Sequence, residues 1–155
     1  NQMAQLYSED AYQFVFGRGQ IYKPGTDVCI FALGNMMQEA LEASAMLENE
    51  KISTMLVNLA SLAPIDEGLI VECAKQAKYI FTVEDHQITG GLGSAVMEVL
   101  SGNYPTKVFR IGASGFGESG KTTDLYRKYR LDAQGIYERA REVVMNSFQK
   151  IDNPQ

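Results

Sequence analysis

Four short, mostly apolar runs, each separated from the next by a stretch of helical periodicity, limit the possible folds of this chain more than any other feature. They are Val28-Cys29-Ile30-Phe31-Ala32-Leu33, Thr54-Met55-Leu56-Val57-Asn58-Leu59, Tyr79-Ile80-Phe81-Thr82-Val83 and Lys107-Val108-Phe109-Arg110-Ile111. A strand with one solvated face alternates apolar and polar residues, whereas a strand covered on both faces reads as a continuous apolar run. Such runs, interleaved with helices, predict a parallel sheet with helices on both sides.

The intervening segments support this. Met37, Ala40, Leu41, Ser44 and Leu47 recur at three- and four-residue spacing, on one face of a helix ending near Asn49. Asp66, after Pro64, can accept from the free first-turn amides of a helix running through Gln76. Gly90-Gly91-Leu92-Gly93 leads into a helix from Ser94 to Leu100, and Asp132 opens a last helix striped by Ile136, Ala140, Val143, Val144 and Ser147. Ahead of these, Gly17 to Tyr22 reads as a strand joined to the first apolar run by the turn Lys23-Pro24-Gly25-Thr26-Asp27. Two strands joined so closely must run antiparallel. The expected architecture is α/β: a three-layer αβα domain whose mostly parallel sheet has about five strands and one antiparallel edge strand.

At 155 residues the chain fits one domain, expected over 1–155 with a core at about 17–148. Hydrophobic residues at 45% suffice for a packed core, which excludes a disordered chain. No apolar run approaches the ~20 residues that span a bilayer, so the expectation is a cytoplasmic protein with no membrane partner. The net charge of −5, with both signs interspersed, argues against nucleic acid as a partner. Cys29 and Cys73 lack metal or redox spacing and are expected to be buried free thiols.

Two motifs could carry chemistry. Gly115-Phe116-Gly117-Glu118-Ser119-Gly120-Lys121-Thr122 matches the phosphate-cradling pattern G-x-x-x-x-G-K-[ST], whose amides and lysine grip phosphates while the hydroxyl helps to hold Mg²⁺. A working site also needs a metal-holding carboxylate on another strand and usually follows the first strand of a larger domain. A glycine-rich turn with a solvated lysine is therefore the preferred reading. The second motif runs from Val83 through Glu84-Asp85-His86 to Gly91, Gly93 and Ser94. It sets the only histidine beside two carboxylates at a strand end, ahead of a helix N-terminus that could hold an anion. Glu84, Asp85, His86, Gly91, Gly93 and Ser94 are accordingly the candidate interface or anion-binding loop. The alternative is structural: the carboxylates accept from loop or helix-terminal amides, and the glycines permit close packing. No serine, cysteine or metal partner completes a catalytic set.

In order and spacing, Gly25-Thr26-Asp27-Val28, Ala32-Leu33-Gly34, Ala60-Ser61-Leu62-Ala63-Pro64-Ile65-Asp66, Val83-Glu84-Asp85-His86, Gly90-Gly91-Leu92-Gly93-Ser94-Ala95-Val96 and Ser119-Gly120-Lys121 with Leu125 and Leu131-Asp132 resemble the C-terminal domain of transketolase. The resemblance runs from about Tyr7 to Val144 and makes the phosphate-loop match a coincidence. It implies a thiamine-diphosphate transferase of the pentose phosphate pathway, moving a two-carbon ketol unit between sugar phosphates. In that family the diphosphate and Mg²⁺ are held by Gly-Asp-Gly and a following Asn in an N-terminal domain, and the activating Glu lies in a middle domain. Gly-Asp-Gly does not occur here, so the resemblance transfers no catalytic, cofactor-binding or metal residue to this chain. It implies instead an assembly and scaffold domain whose partners are the remaining transketolase domains or subunit, in a homo-oligomer, and which is inactive in isolation. Other parents with similar last domains are deoxyxylulose-phosphate synthase and the β subunit of a 2-oxoacid dehydrogenase. A stand-alone ligand-binding module is the competing reading from another class.

Overall fold

The computed structural model describes residues 15–87, 91–113 and 121–152. Its elements are β1 (Gln20–Lys23), β2 (Val28–Ala32), α1 (Met36–Asn49), β3 (Thr54–Asn58), α2 (Glu67–Gln76), β4 (Tyr79–Gln87), α3 (Leu92–Asn103), β5 (Val108–Ala113), α4 (Thr122–Lys128) and α5 (Ala133–Asp152). The strands form one sheet in the order β1-β3-β2-β4-β5, parallel except for the β1–β3 pair. This is the α/β architecture expected from the apolar runs.

Every residue of β2 and β3 is buried, which is why neither strand alternates in sequence. Successive side chains nevertheless point to opposite faces. Val28, Ile30 and Ala32 join the core under α1 and α5, while Cys29 and Phe31 join the core under α2 and α3. Phe81 of β4 continues the first core and stacks on Phe109 of β5 with ring centroids 5.2 Å apart. In the second, Cys29 of β2 and Cys73 of α2 are free and buried, and burial, with Cys73 adding to it, pushes the Cys29 thiol up. The chain leaves β2 toward β3 but later leaves β4 toward β5, in the opposite direction. Crossovers of one hand that travel in opposite directions place their helices on opposite faces, and α1 and α3 lie so.

The antiparallel strand has an unexpected neighbour. β1 runs opposite to β2, as the short turn requires, but it pairs with β3: Gln20 faces Asn58 and Ile21 faces Val57. The Lys23–Asp27 turn must therefore cross the start of β3. Gly25 makes the crossing, and a Cβ there would lie 2.3 Å from Met55 N and from Thr54 C. Asp27 then ties the amino edge together. Its Oδ2 accepts from Ser53 N at 2.8 Å and its carbonyl accepts from the amides of Lys78 and Tyr79.

Two helices end alike. After α1 the amide of Ile52 bonds the carbonyl of Leu47, and after α4 the amide of Leu131 bonds that of Tyr126. In each closure the preceding residue takes a left-handed conformation, Lys51 at φ 62° and Arg130 at φ 57°, where glycine is the usual occupant. Ile52 and Leu131 are buried behind them.

Gly25→Ala is expected to destabilise the fold by about 3 kcal/mol, since the new methyl meets backbone that cannot move aside. Gly68→Ala, in α2 with open space around it, should stabilise by about 0.5 kcal/mol. Urea unfolding of the two variants checks both; similar small effects would contradict the crossing geometry.

Candidate functional site

In an open parallel sheet, functional loops gather outside the carboxyl ends of the strands, above all where successive crossovers depart in opposite directions. Here that point lies between β2 and β4. β2 leads into Gly34, at φ 59°, and Asn35, while β4 runs on through Glu84 and Asp85 to Gln87. β4 is longer than its apolar run because its last residues are polar, and its register with β5 shifts between Val83 and Gln87.

Strand alternation sends Glu84 and Asp85 to opposite faces. Glu84 is 3% exposed, and its Oε2 accepts from Gly93 N, in the first turn of α3, at 2.7 Å. Gly91, at the N-cap position, provides no side-chain cap. The carboxylate of a neighbouring strand does this work instead, favoured by the positive end of the helix dipole. The fit requires glycine at 93: a Cβ there would lie 2.7 Å from Arg110 Cδ and 2.9 Å from Thr82 Oγ1. Ser94 follows, half-buried in the same turn. The place where an external anion would meet these amides thus already holds a carboxylate of the chain itself.

On the other face, Tyr126 of α4 donates from its hydroxyl to Asp85 Oδ2 at 3.2 Å. Burial, then the Asp85 charge and hydrogen bond, then Glu39, push the Tyr126 hydroxyl up to about 12, opposed by a hydrogen bond from Asn35. It therefore stays protonated, and a donor, throughout the physiological range. Glu39 of α1 accepts from Ala133 N at 2.7 Å and so holds the start of α5. Burial raises the Glu39 carboxyl; the Ala133 bond opposes this, and Glu42 and Asp132 add to it. Asp85 with Tyr126 holds α4 to the sheet, and Glu39 with Ala133 holds the start of α5 to α1. Asn35 lies in the loop that follows β2; Tyr126 and Glu39 carry no local sequence signal, because their partners are 41 and 94 positions away.

The remaining sequence candidates divide as follows. His86 lies within β4, but its side chain falls outside the described residues, as do residues 88–90 and 114–120. Of the phosphate-loop match, Lys121 is described: it is exposed at the start of α4, a helix of seven residues. Among the described residues no group of three or more His, Cys, Asp or Glu side chains could hold a metal ion. No helix among them is long and apolar enough to cross a membrane.

Apolar side chains also collect on this edge. Val15 and Phe16, ahead of β1, are 52% and 70% exposed, and Leu62, after β3, is 37% exposed. They are neighbours because β1 begins where β3 ends: the Cβ position of Gly17 is 3.0 Å from Pro64 Cγ, and Gly19 N donates to Asp66 Oδ2 at 3.0 Å.

Glu84→Ala should cost about 2–4 kcal/mol, by removing a buried, charge-assisted acceptor, and Glu84→Gln about half as much. Denaturant unfolding that finds no loss in either would overturn this view of the α3 start. Tyr126 gives a pH signature. Its value in the fold lies above the ordinary tyrosine value of 10.0, so the stability it contributes is fully present below about pH 10 and is lost between there and about pH 12. Tyr126→Phe should remove the latest-ionising tyrosine from a spectrophotometric titration and abolish that loss.

Comparison with known proteins bears directly on this arrangement. The family model for "Transketolase, C-terminal domain" matches residues 17–136. A protein of Methanocaldococcus jannaschii described as a transketolase C-terminal section is 41% identical over 137 residues, 87% of this chain and 42% of the relative. A 1-deoxy-D-xylulose-5-phosphate synthase of Chlorobium luteolum is 43% identical over 128 residues, 81% of this chain and 20% of the relative. Among solved structures, a split gene transketolase, described as an inactive beta4 tetramer, superposes with a TM-score of 0.86 at 43% identity, covering 92% of this chain and 47% of that one. The chain spans less than half the length of these relatives. With a family-model match over most of its length, the chain belongs to the transketolase C-terminal domain family.

Proposed function

We propose that residues 1–155, with a core at about 17–148, act as the scaffold domain of a transketolase-type enzyme and carry no cofactor of their own. The observation that carries this reading is the state of the carboxyl edge. Glu84 occupies the amide seat of α3, and Asp85 and Glu39 hold Tyr126 and Ala133. Thiamine diphosphate does not fit at that seat, where its diphosphate would compete with a buried carboxylate already bonded to Gly93 N. Mg²⁺ and ketol transfer between sugar phosphates then belong to the companion domains.

The exposed Val15, Phe16 and Leu62 are the hydrophobic part of the docking face, and the loop carrying Glu84, Asp85, His86, Gly91, Gly93 and Ser94 is assigned to it on the same carboxyl edge, two strands away from β3. The partner is the remaining transketolase section, in a homo-oligomeric cytoplasmic enzyme. Deoxyxylulose-phosphate synthase is the second reading of the parent, supported by a relative of that name at 43% identity. The relatives described as a C-terminal section and as a split gene product cover more of this chain and favour transketolase.

The test is reconstitution with a section bearing the cofactor and pyrimidine domains. The isolated chain should show no calorimetric binding of thiamine diphosphate with Mg²⁺, and the mixture should form a complex that transfers ketol units. Phe16→Asp with Leu62→Asp should weaken that complex at least ~tenfold, the scale for losing two apolar anchors. Tight cofactor binding by the chain alone, or assembly indifferent to the double variant, would contradict the proposal.

A further inference from the structure

Away from the carboxyl edge, the charge of the molecule is unevenly shared. Both signs alternate along the sequence, yet from Lys107 to Arg139 seven of the fourteen Lys and Arg stand against four carboxylates, a local excess of +3 in a chain of net charge −5. Two of those carboxylates are already engaged: Asp132 accepts from Gly135 N at 3.0 Å, and Glu138 pairs with Arg130 at 2.9 Å.

Within this basic segment lies a pocket of about 170 Å³, between edge strand β5 and the turn from α4 into α5, lined by Arg110, Gly112, Tyr129, Arg130, Gly135 and Arg139. Three features suit it to an anion. Among the described residues β5 is the last strand of the sheet, so one side of its backbone has no strand partner among them. Arg110 has no ion pair among the described residues, and its stem crosses Gly93 beside the strand. The pairs Arg130–Glu138 and Arg139–Glu142, the latter at 3.6 Å, are solvent-exposed and weak enough for either guanidinium to turn to a stronger acceptor. The wall is also rigid: a Cβ on Gly135 would lie 2.4 Å from the Arg130 carbonyl, so the left-handed turn is pressed against α5.

We infer that this pocket binds a phosphate-bearing small molecule, with Arg130 and Arg139 gripping the phosphate and the Gly112–Gly135 gap admitting it. The two gripping arginines lie outside the residues assigned to the docking face, and the test needs no ketol-transfer activity.

Inorganic phosphate and a pentose 5-phosphate would be titrated at constant ionic strength while the backbone amides are followed by NMR. The expectation is saturable shifts centred on Gly112, Arg130 and Gly135. Arg139→Gln should weaken binding at least ~fivefold, as loss of one charge-assisted contact does. Arg130→Gly is the safer variant for the fold, because glycine suits φ 57° without strain: its melting temperature should hold or rise while phosphate affinity falls by a similar factor. Lys107→Gln, which removes a cation outside the pocket, should change neither. Tighter binding of the ester assigns the site to a phosphomonoester, and equal binding to the phosphate group alone; both support the inference. Non-saturating shifts, shifts spread over Lys121, Arg127 and Lys128, or affinity unaltered in both arginine variants would overturn it. So would binding of poly-glutamate without binding of phosphate, which would assign the surface to an acidic protein partner.

Discussion

The hydrogen bond from Gly93 N to Glu84 is the contact on which the character of this domain turns. A helix leaving the end of a buried strand exposes unpaired amides at its most positive point, and nature fills such a point either with a ligand or with a side chain. Here the occupant comes from the preceding strand, two residues beyond the buried Thr82. Because the carboxylate is buried, the helix must approach closely, and because it approaches closely, position 93 must be glycine. Glu84 and Gly93 thus join the end of β4 to the start of α3 in one contact.

The same solution recurs around the sheet. Asp27 binds the Ser53 amide at the amino edge, Asp66 binds Gly19 and Leu69 at the start of α2, Asp132 binds Gly135 and Glu39 binds Ala133 at the start of α5. Each joins a carboxylate to backbone N–H groups that the sheet or helix leaves open, and charge-assisted bonds of this kind are stronger than neutral ones. Part of the acidic excess of the chain is therefore structural. A rigid sheet fixed at both edges is a suitable brace for neighbouring domains, which need groups held steady more than they need added chemistry.

How much of this could be read beforehand depended on the range of the interaction. β2 and β3 were evident as apolar runs because burial on both faces removes the alternation that would otherwise mark them. Asp66 announced its helix because the cap lies three residues from Leu69, its amide partner. The neighbour of β1 was not evident: a short turn fixes direction, but only the passage of Gly25 over Thr54 and Met55 decides that β3, and not β2, receives the strand. The end of β4 was missed because Glu84 and Asp85 serve opposite faces and interrupt the apolar run. Tyr126, Glu39 and the Cys29–Cys73 contact depend on folding to bring distant segments together. The phosphate-loop pattern, most of which lies outside the described residues, is a local match of a kind that has little meaning without a strand order that supplies a metal and a nucleotide site.

The claim that the chain fills its own anion seat can be tested at one atom pair. Native-state hydrogen exchange at the Gly93 amide should show protection comparable to that of the amides of β2 and β3, because the bond to buried Glu84 breaks only when α3 leaves the sheet. Exchange as fast as in an open first helical turn would mean that the amide is free for an outside ligand, and the scaffold account would fail.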